Sequence, residues 1–172
     1  MPTSLPAVVA IGDIQQVVLV NYQGVILSVC LRAGSVISIH RDGAAVGELL
    51  NLGVGGSKDK LGAAVKGNQL HLVWGSGANV VHSRWNLDTE QFDKVPTVEF
   101  TGSRPAIAFG QGDNKLLCHY VSATGTHESR VSLDDGNTWE DAVVVESATT
   151  VQNVDVSISP LDDTAASWTN NH

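Results

Sequence analysis

Trp74, Tyr120 and Trp168 recur at spacings of 46 and 48 residues, and Arg84 and Arg130 each follow an aromatic by ten. Aromatic rings flanked by a guanidinium and a carboxylate are the side chains that hold sugars. The ring covers the apolar face of the sugar, and the charged groups take its hydroxyls. On that chemistry Trp74, Arg84, Trp85, Tyr120, Glu128, Arg130 and Trp168 are the candidate carbohydrate ligands. Trp85 has no aromatic counterpart one repeat later, where Val131 stands, and is expected to expose its ring. The bland alternative for Trp74 and Trp168 is packing of one repeat against the next.

Catalytic and metal chemistry find less to work with. The histidines at 40, 71, 82, 119, 127 and 172 form no HExxH and no metal-ligand spacing. A G-x-S-x-G elbow and a P-loop are also missing. His71 and His119 alternate with apolar residues in strand-like runs, which is a structural placement. No metal and no cofactor is expected.

The elements that position these residues are strands. Segments 7–24, 62–77, 105–125 and 154–170 each read as an apolar or alternating strand, a polar turn, and a second strand ending in an aromatic residue. Tyr22 opens the series, so the period runs from 46 to 52 residues. That is the length of a four-stranded unit, the blade of a β-propeller. The expected fold is all-β, with blades of four antiparallel strands at about 6–53, 60–102 and 103–148 and a half blade at 153–170, in one domain spanning 1–172. Segment 44–52, AAVGELLNL, is the one stretch with a weak helical reading.

Outer strands repeat as well. NVVHSRWNLDTEQFDKVPTVEF aligns with THESRVSLDDGNTWEDAVVVE, pairing Ser83-Arg84 with Ser129-Arg130 and Asp88 with Asp134. The second segment contains Ser132-x-Asp134-x-Gly136-x-Thr138-Trp139. In such a hairpin the Asp accepts turn amides, the Gly takes positive φ, hydroxyls satisfy the remaining donors, and Trp covers the turn. This stretch matches the Asp box, S-x-D-x-G-x-T-W, at every specified position, and the chain resembles the Asp-box (bacterial neuraminidase repeat) β-propellers. Asn86-Leu87-Asp88-Thr89 is a degenerate copy without the Gly, with Phe92 near the Trp position. The resemblance implies a structural role for Ser132, Asp134, Gly136, Thr138 and Trp139, away from the active face. A calcium reading of Asp134, Asp135 and Asp141 lacks the alternating acid spacing that such loops use.

The resemblance also implies what a sialidase would need: three arginines on the substrate carboxylate, a Tyr/Glu nucleophile pair, an Asp acid/base and an Arg-Ile-Pro signature. Arg32, Arg41, Arg84, Arg104 and Arg130 are the only arginines. Arg104-Pro105 lacks the Ile, and Arg84 and Arg130 hold one repeat position instead of converging. The expectation is a chain that is not an enzyme.

Net charge of -8 and a pI near 5.0 oppose attraction to nucleic acid or an anionic membrane and disfavour anionic sugars. No stretch approaches the roughly 20 apolar residues of a membrane span. The N terminus, MPTSLPAVVAIGD, has no charged n-region, which points to synthesis in the cytosol and is compatible with release or incorporation into a virion. Cys30 and Cys118 sit in apolar runs and are expected as buried thiols. The functional expectation is a lectin-like module that binds a neutral or cationic carbohydrate as a homo-oligomer. Its rival is an assembly module, a virion component or a piece of a larger propeller, without a small ligand.

Overall fold

A computed structural model describes residues 14–32, 36–49, 60–110, 114–146, 154–158 and 165–169, with side chains over 14–32, 36–46, 60–110 and 114–145. These residues form strands, and none forms a helix. The first sheet holds β1 (Ile14–Tyr22), β2 (Val25–Arg32), β3 (Val36–Arg41) and β4 (Ala44–Leu49). The second holds β5 (Leu61–Lys66), β6 (Gln69–Ser76), β7 (Asn79–Asn86) and β8 (Gln91–Thr101), and the third β9 (Ser103–Gly110), β10 (Lys115–Val121), β11 (His127–Ser132) and β12 (Val143–Glu146). A hairpin of β13 (Val154–Ile158) and β14 (Ala165–Thr169) follows. Each four-stranded sheet is an antiparallel meander, as short turns between alternating strands dictate. Of the segment with a weak helical reading, residues 44–49 are strand β4 and 50–52 lie outside the described residues; at Asp42-Gly43 both φ angles are positive (49° and 84°), which turns the chain straight back onto β3.

The sheets stack as blades through their first strands, with β5 between β1 and β9, and β13 against β9. Two cores result. Leu27, Val29, Leu31 and Ile37 of the first blade close on Leu70, Leu72, Trp74 and Trp85 of the second. Val73 and Val80 of the second blade close on Ile107, Leu116, Cys118 and Tyr120 of the third, with Phe100, Phe109 and Trp139 at the margin.

The strand order corrects the alignment of the aromatics at its first member only. Trp74 of β6 and Tyr120 of β10 are both in second strands and both face the blade before their own, whereas Tyr22 ends β1, a first strand, and so is not their counterpart. Trp74 pairs with Val81 across β6–β7, while Tyr120 pairs with Glu128 across β10–β11. A better anchor is a repeated contact between blades. Arg41 Nη2 donates to the Leu87 carbonyl (3.0 Å), and Arg84 Nη1 donates to the Asp135 carbonyl (2.8 Å). Each arginine reaches the outer turn of the following blade. Arg84 lies opposite His71, and the residue opposite the matching His119 is Ser129, not Arg130. Arg84 and Arg130 therefore point to opposite sides of their blades, because a shift of one residue in a strand exchanges its faces.

Candidate functional site

The turn between β11 and β12 is built from its own side chains. Asp134 Oδ1 accepts from the Thr138 amide (2.8 Å) and from Ser132 Oγ (2.9 Å), and Oδ2 accepts from Thr138 Oγ1 (2.7 Å). The Gly136 amide donates to Ser132 Oγ (2.8 Å). The Thr138 hydroxyl and amide hold the Asp134 carboxyl down to about 2. Trp139 sets its ring edge-on to His82 (5.6 Å between centroids) and to Phe100 (5.9 Å). With Asp134 satisfied this way and Asp135 paired to Lys66, these carboxylates stabilise the turn and tie it to the second blade. Asp134→Ala should lower stability by about 1–2 kcal/mol in urea unfolding, the cost of several lost bonds to a charged acceptor in a half-exposed turn. An unchanged midpoint would show that the lock carries no weight.

The degenerate turn of the second blade spends its residues differently. Asn86 Oδ1 takes the amides of Asp88 (3.0 Å) and Thr89 (3.1 Å). Asp88 is released to accept from Tyr22 (2.7 Å) and Asn68 (3.0 Å). Glu90 keeps a positive φ of 55° without being glycine.

The structure withdraws most of the expected sugar platforms. Trp74 is 0% exposed, Tyr120 1% and Trp85 7%, so none presents a ring face to a ligand. Trp85 is corrected from an exposed ring to a core residue: it packs against Phe92 at 5.0 Å, edge to face, within the first core. The side chain of Trp168 lies outside the described residues. Tyr120, Glu128 and Arg130 do come together. Tyr120 OH donates to Glu128 Oε2 (2.7 Å) and accepts from Arg130 Nε (3.2 Å), while Arg130 lies over the Phe100 ring (5.0 Å). Burial pushes the Tyr120 phenol up to about 12. Arg84 does not join them; its guanidinium goes to the Asp135 carbonyl.

Histidine pairs, absent from the candidate ligands, occupy the interior of the second and third blades. His71 Nδ1 and His82 Nε2 lie 3.2 Å apart with stacked rings, and His119 Nδ1 and His127 Nε2 lie 2.8 Å apart. Burial, then the neighbouring His82 and Arg84, lowers His71 to about 2; burial and His127 lower His119 to about 4. His82 is also lowered, first by burial, and its Nδ1 stands 3.8 Å from Glu99, which Lys94 neutralises. Alternation of His71 and His119 with apolar residues was the sequence signal for their burial.

An open concavity lies on the inner strands. A cleft of ≈ 360 Å³ is bounded by residues 16–19 of β1, 60–63 at the start of β5, and Ala106 and Ile107 of β9. It sits near the entry ends of β1 and β5, whereas the Asp134 turn lies at the opposite end of the meander. Gln16 shapes it. Alternation along β1 puts Gln16 on the face of Val18 and Val20, toward the second blade and β5. There Nε2 donates to the Leu61 carbonyl and Oε1 accepts from the Leu61 amide, both at 2.8 Å. Lys60 adds a cation to the rim. Much of this wall is backbone, so it leaves no side-chain motif in the sequence beyond the polar Gln15-Gln16 pair in an apolar run.

No protein-family model matches the chain, and no curated protein matches it in sequence. In three dimensions it is similar to the catalytic domain of Coprinopsis cinerea GH62 α-L-arabinofuranosidase, with a TM-score of 0.55 at 12% identity. The match covers 86% of this chain and 60% of that one, so the chain spans less than two thirds of that domain. That domain is a five-bladed β-propeller, and the likeness is to the propeller fold rather than to Asp-box proteins in particular. It corrects the expectation of a chain that is not an enzyme: a fold shared with a catalytic domain is no argument against catalysis. What the comparison shows of this chain is a β-propeller fold.

Proposed function

We propose that the chain is a carbohydrate-binding module on an Asp-box-type β-propeller, with its ligand in the axial cleft. The observation that carries this reading is the ≈ 360 Å³ cleft on the inner strands, walled by β1, β5 and β9 and edged by the Gln16 amide and Lys60. Its size falls in the roughly 300–1,000 Å³ range of small-ligand sites. A backbone edge suits hydroxyl groups, and the acidic balance of the chain favours a neutral glycan over an anionic one. Support by analogy comes from the neighbour, which is named for its action on α-L-arabinofuranosides.

A glycan array that includes α-L-arabinofuranosides tests the reading, with release of a chromogenic α-L-arabinofuranoside measured alongside. Leu19 is 66% exposed and lines the cleft, so Leu19→Trp fills it at little cost to the core. Binding found on the array should weaken at least tenfold in that variant. Binding that ignores Leu19→Trp would move the site elsewhere.

A second reading, assembly, is favoured by the outer edge of the third blade. Val143, Val144 and Val145 of β12 expose their side chains in succession, whereas β8 breaks its edge with Pro96 and with register shifts along β7. Unguarded edges invite pairing, here with a second copy of the chain. A blank array together with a concentration-dependent oligomer in sedimentation would select this reading.

A further inference from the structure

Among the described strands β5 pairs only with β6, which leaves its other edge toward the cleft. In an antiparallel strand the N–H and C=O of one residue point to the same side, and successive residues alternate sides. Two contacts fix the phase. The Lys60 carbonyl accepts from the Gly75 amide (3.2 Å), toward β6. Leu61 gives both its groups to Gln16, on the other side, at 2.8 Å each. Alternation then commits Gly62 and Ala64 to β6 and turns the N–H and C=O of Ala63 toward the cleft, whose wall Ala63 forms.

The Gln16 carboxamide displays what this edge accepts: a donor and an acceptor side by side, taken by the C=O and N–H of one residue. A vicinal diol offers the same pair, with one hydroxyl donating and its neighbour accepting. We propose that Ala63 is a two-point reader of vicinal diols, and that Gln16 sets its register by occupying the equivalent pair at Leu61. The inference rests on the axial-cleft reading and names the chemical feature of the ligand that the cleft recognises. It also makes Gln16 an internal competitor: without its amide, a second diol-reading position opens at Leu61.

Amide-resolved NMR of the full chain, titrated with cis-cyclohexane-1,2-diol and separately with cis-cyclohexane-1,3-diol, tests this. The 1,2-diol should shift the Ala63 amide and the 1,3-diol should not. In Gln16→Ala the Leu61 amide should join the response to the 1,2-diol. Ala63→Pro removes an N–H that lies outside the β5–β6 ladder, a position where an edge strand tolerates proline; it should weaken the 1,2-diol response at least tenfold. If that variant does not fold, the two titrations and Gln16→Ala still decide. Equal shifts from both diols, or none at Ala63, overturn the proposal. A diol response at Ala63 with a blank glycan array would sink the carbohydrate function and leave the edge standing. Array binding that leaves the Ala63 amide unmoved would do the reverse.

Discussion

Lowering the pH from 7 to 4.5 should remove on the order of 5 kcal/mol of stability, well before the carboxylate of the outer turn protonates. In the unfolded chain a histidine takes its proton near pH 6.5. In the folded chain burial holds His71 to about 2 and His119 to about 4. Between those limits the unfolded state binds more protons, so stability is full above about pH 6.5 and falls as the pH drops. Each depressed histidine contributes about 1.4 kcal/mol per pH unit over that window, and two of them over two units give the figure above. A domain of this kind has roughly 5–15 kcal/mol in total. Asp134, held to about 2, adds its own loss only below the ordinary carboxylate range. Urea unfolding at a series of pH values reads the slope. His71→Phe and His119→Phe should each flatten it by about 1.4 kcal/mol per unit, whatever they do to stability at pH 7. Parallel profiles for wild type and variants would show that other groups drive acid unfolding.

Gly136→Ala should cost about 3 kcal/mol or more. Gly136 has φ of +74°, and a Cβ built there would stand 2.2 Å from Cε1 of His82. The left-handed conformation alone costs a residue with a side chain roughly 1–2 kcal/mol. The collision adds to it, because the His82 ring is buried between His71 and Trp139 and has nowhere to go. Gly77 separates the two effects, having φ of +60° and open space around its Cβ position. Gly77→Ala should therefore cost only the conformational part. If thermal or urea unfolding gives the same loss for both variants, the ring contact does not matter and the turn's geometry alone governs.

How much of this was legible in the sequence depends on what each feature is made of. The blades announced themselves, since a turn chemistry and an alternation repeated every 46 to 52 residues are properties of side chains in order. The bonds of Asp134 to Ser132 and Thr138 are equally local and follow from residues two and four positions away. Parity along a strand was not legible. Ser83-Arg84 matches Ser129-Arg130 letter for letter, yet the pairing of β10 with β11 sets Arg130 beside Tyr120 and Phe100 while Arg84 reaches the next blade. The short turn between β6 and β7 and the longer loop between β10 and β11 set the two pairings one residue apart, which changes the face a letter occupies. Trp85 was misjudged for a related reason: its neighbour in space, Phe92, comes from β8, and only the sheet register brings the two rings to 5.0 Å. The cleft was the least legible feature, because backbone groups of β5 form its wall and backbone has no letter.

The guanidinium contacts of Arg41 and Arg84 give the molecule a direction. The first blade secures the outer turn of the second at Leu87 and the second that of the third at Asp135, and the dependence runs from the N-terminal side toward the C-terminal side. In a stack whose stability is a sum of units and nearest-neighbour couplings, such a polarity makes the two ends unequal. Peeling a blade from the late end leaves every earlier turn still fastened. Peeling one from the early end unfastens the next, so unravelling that starts there carries its own momentum down the chain.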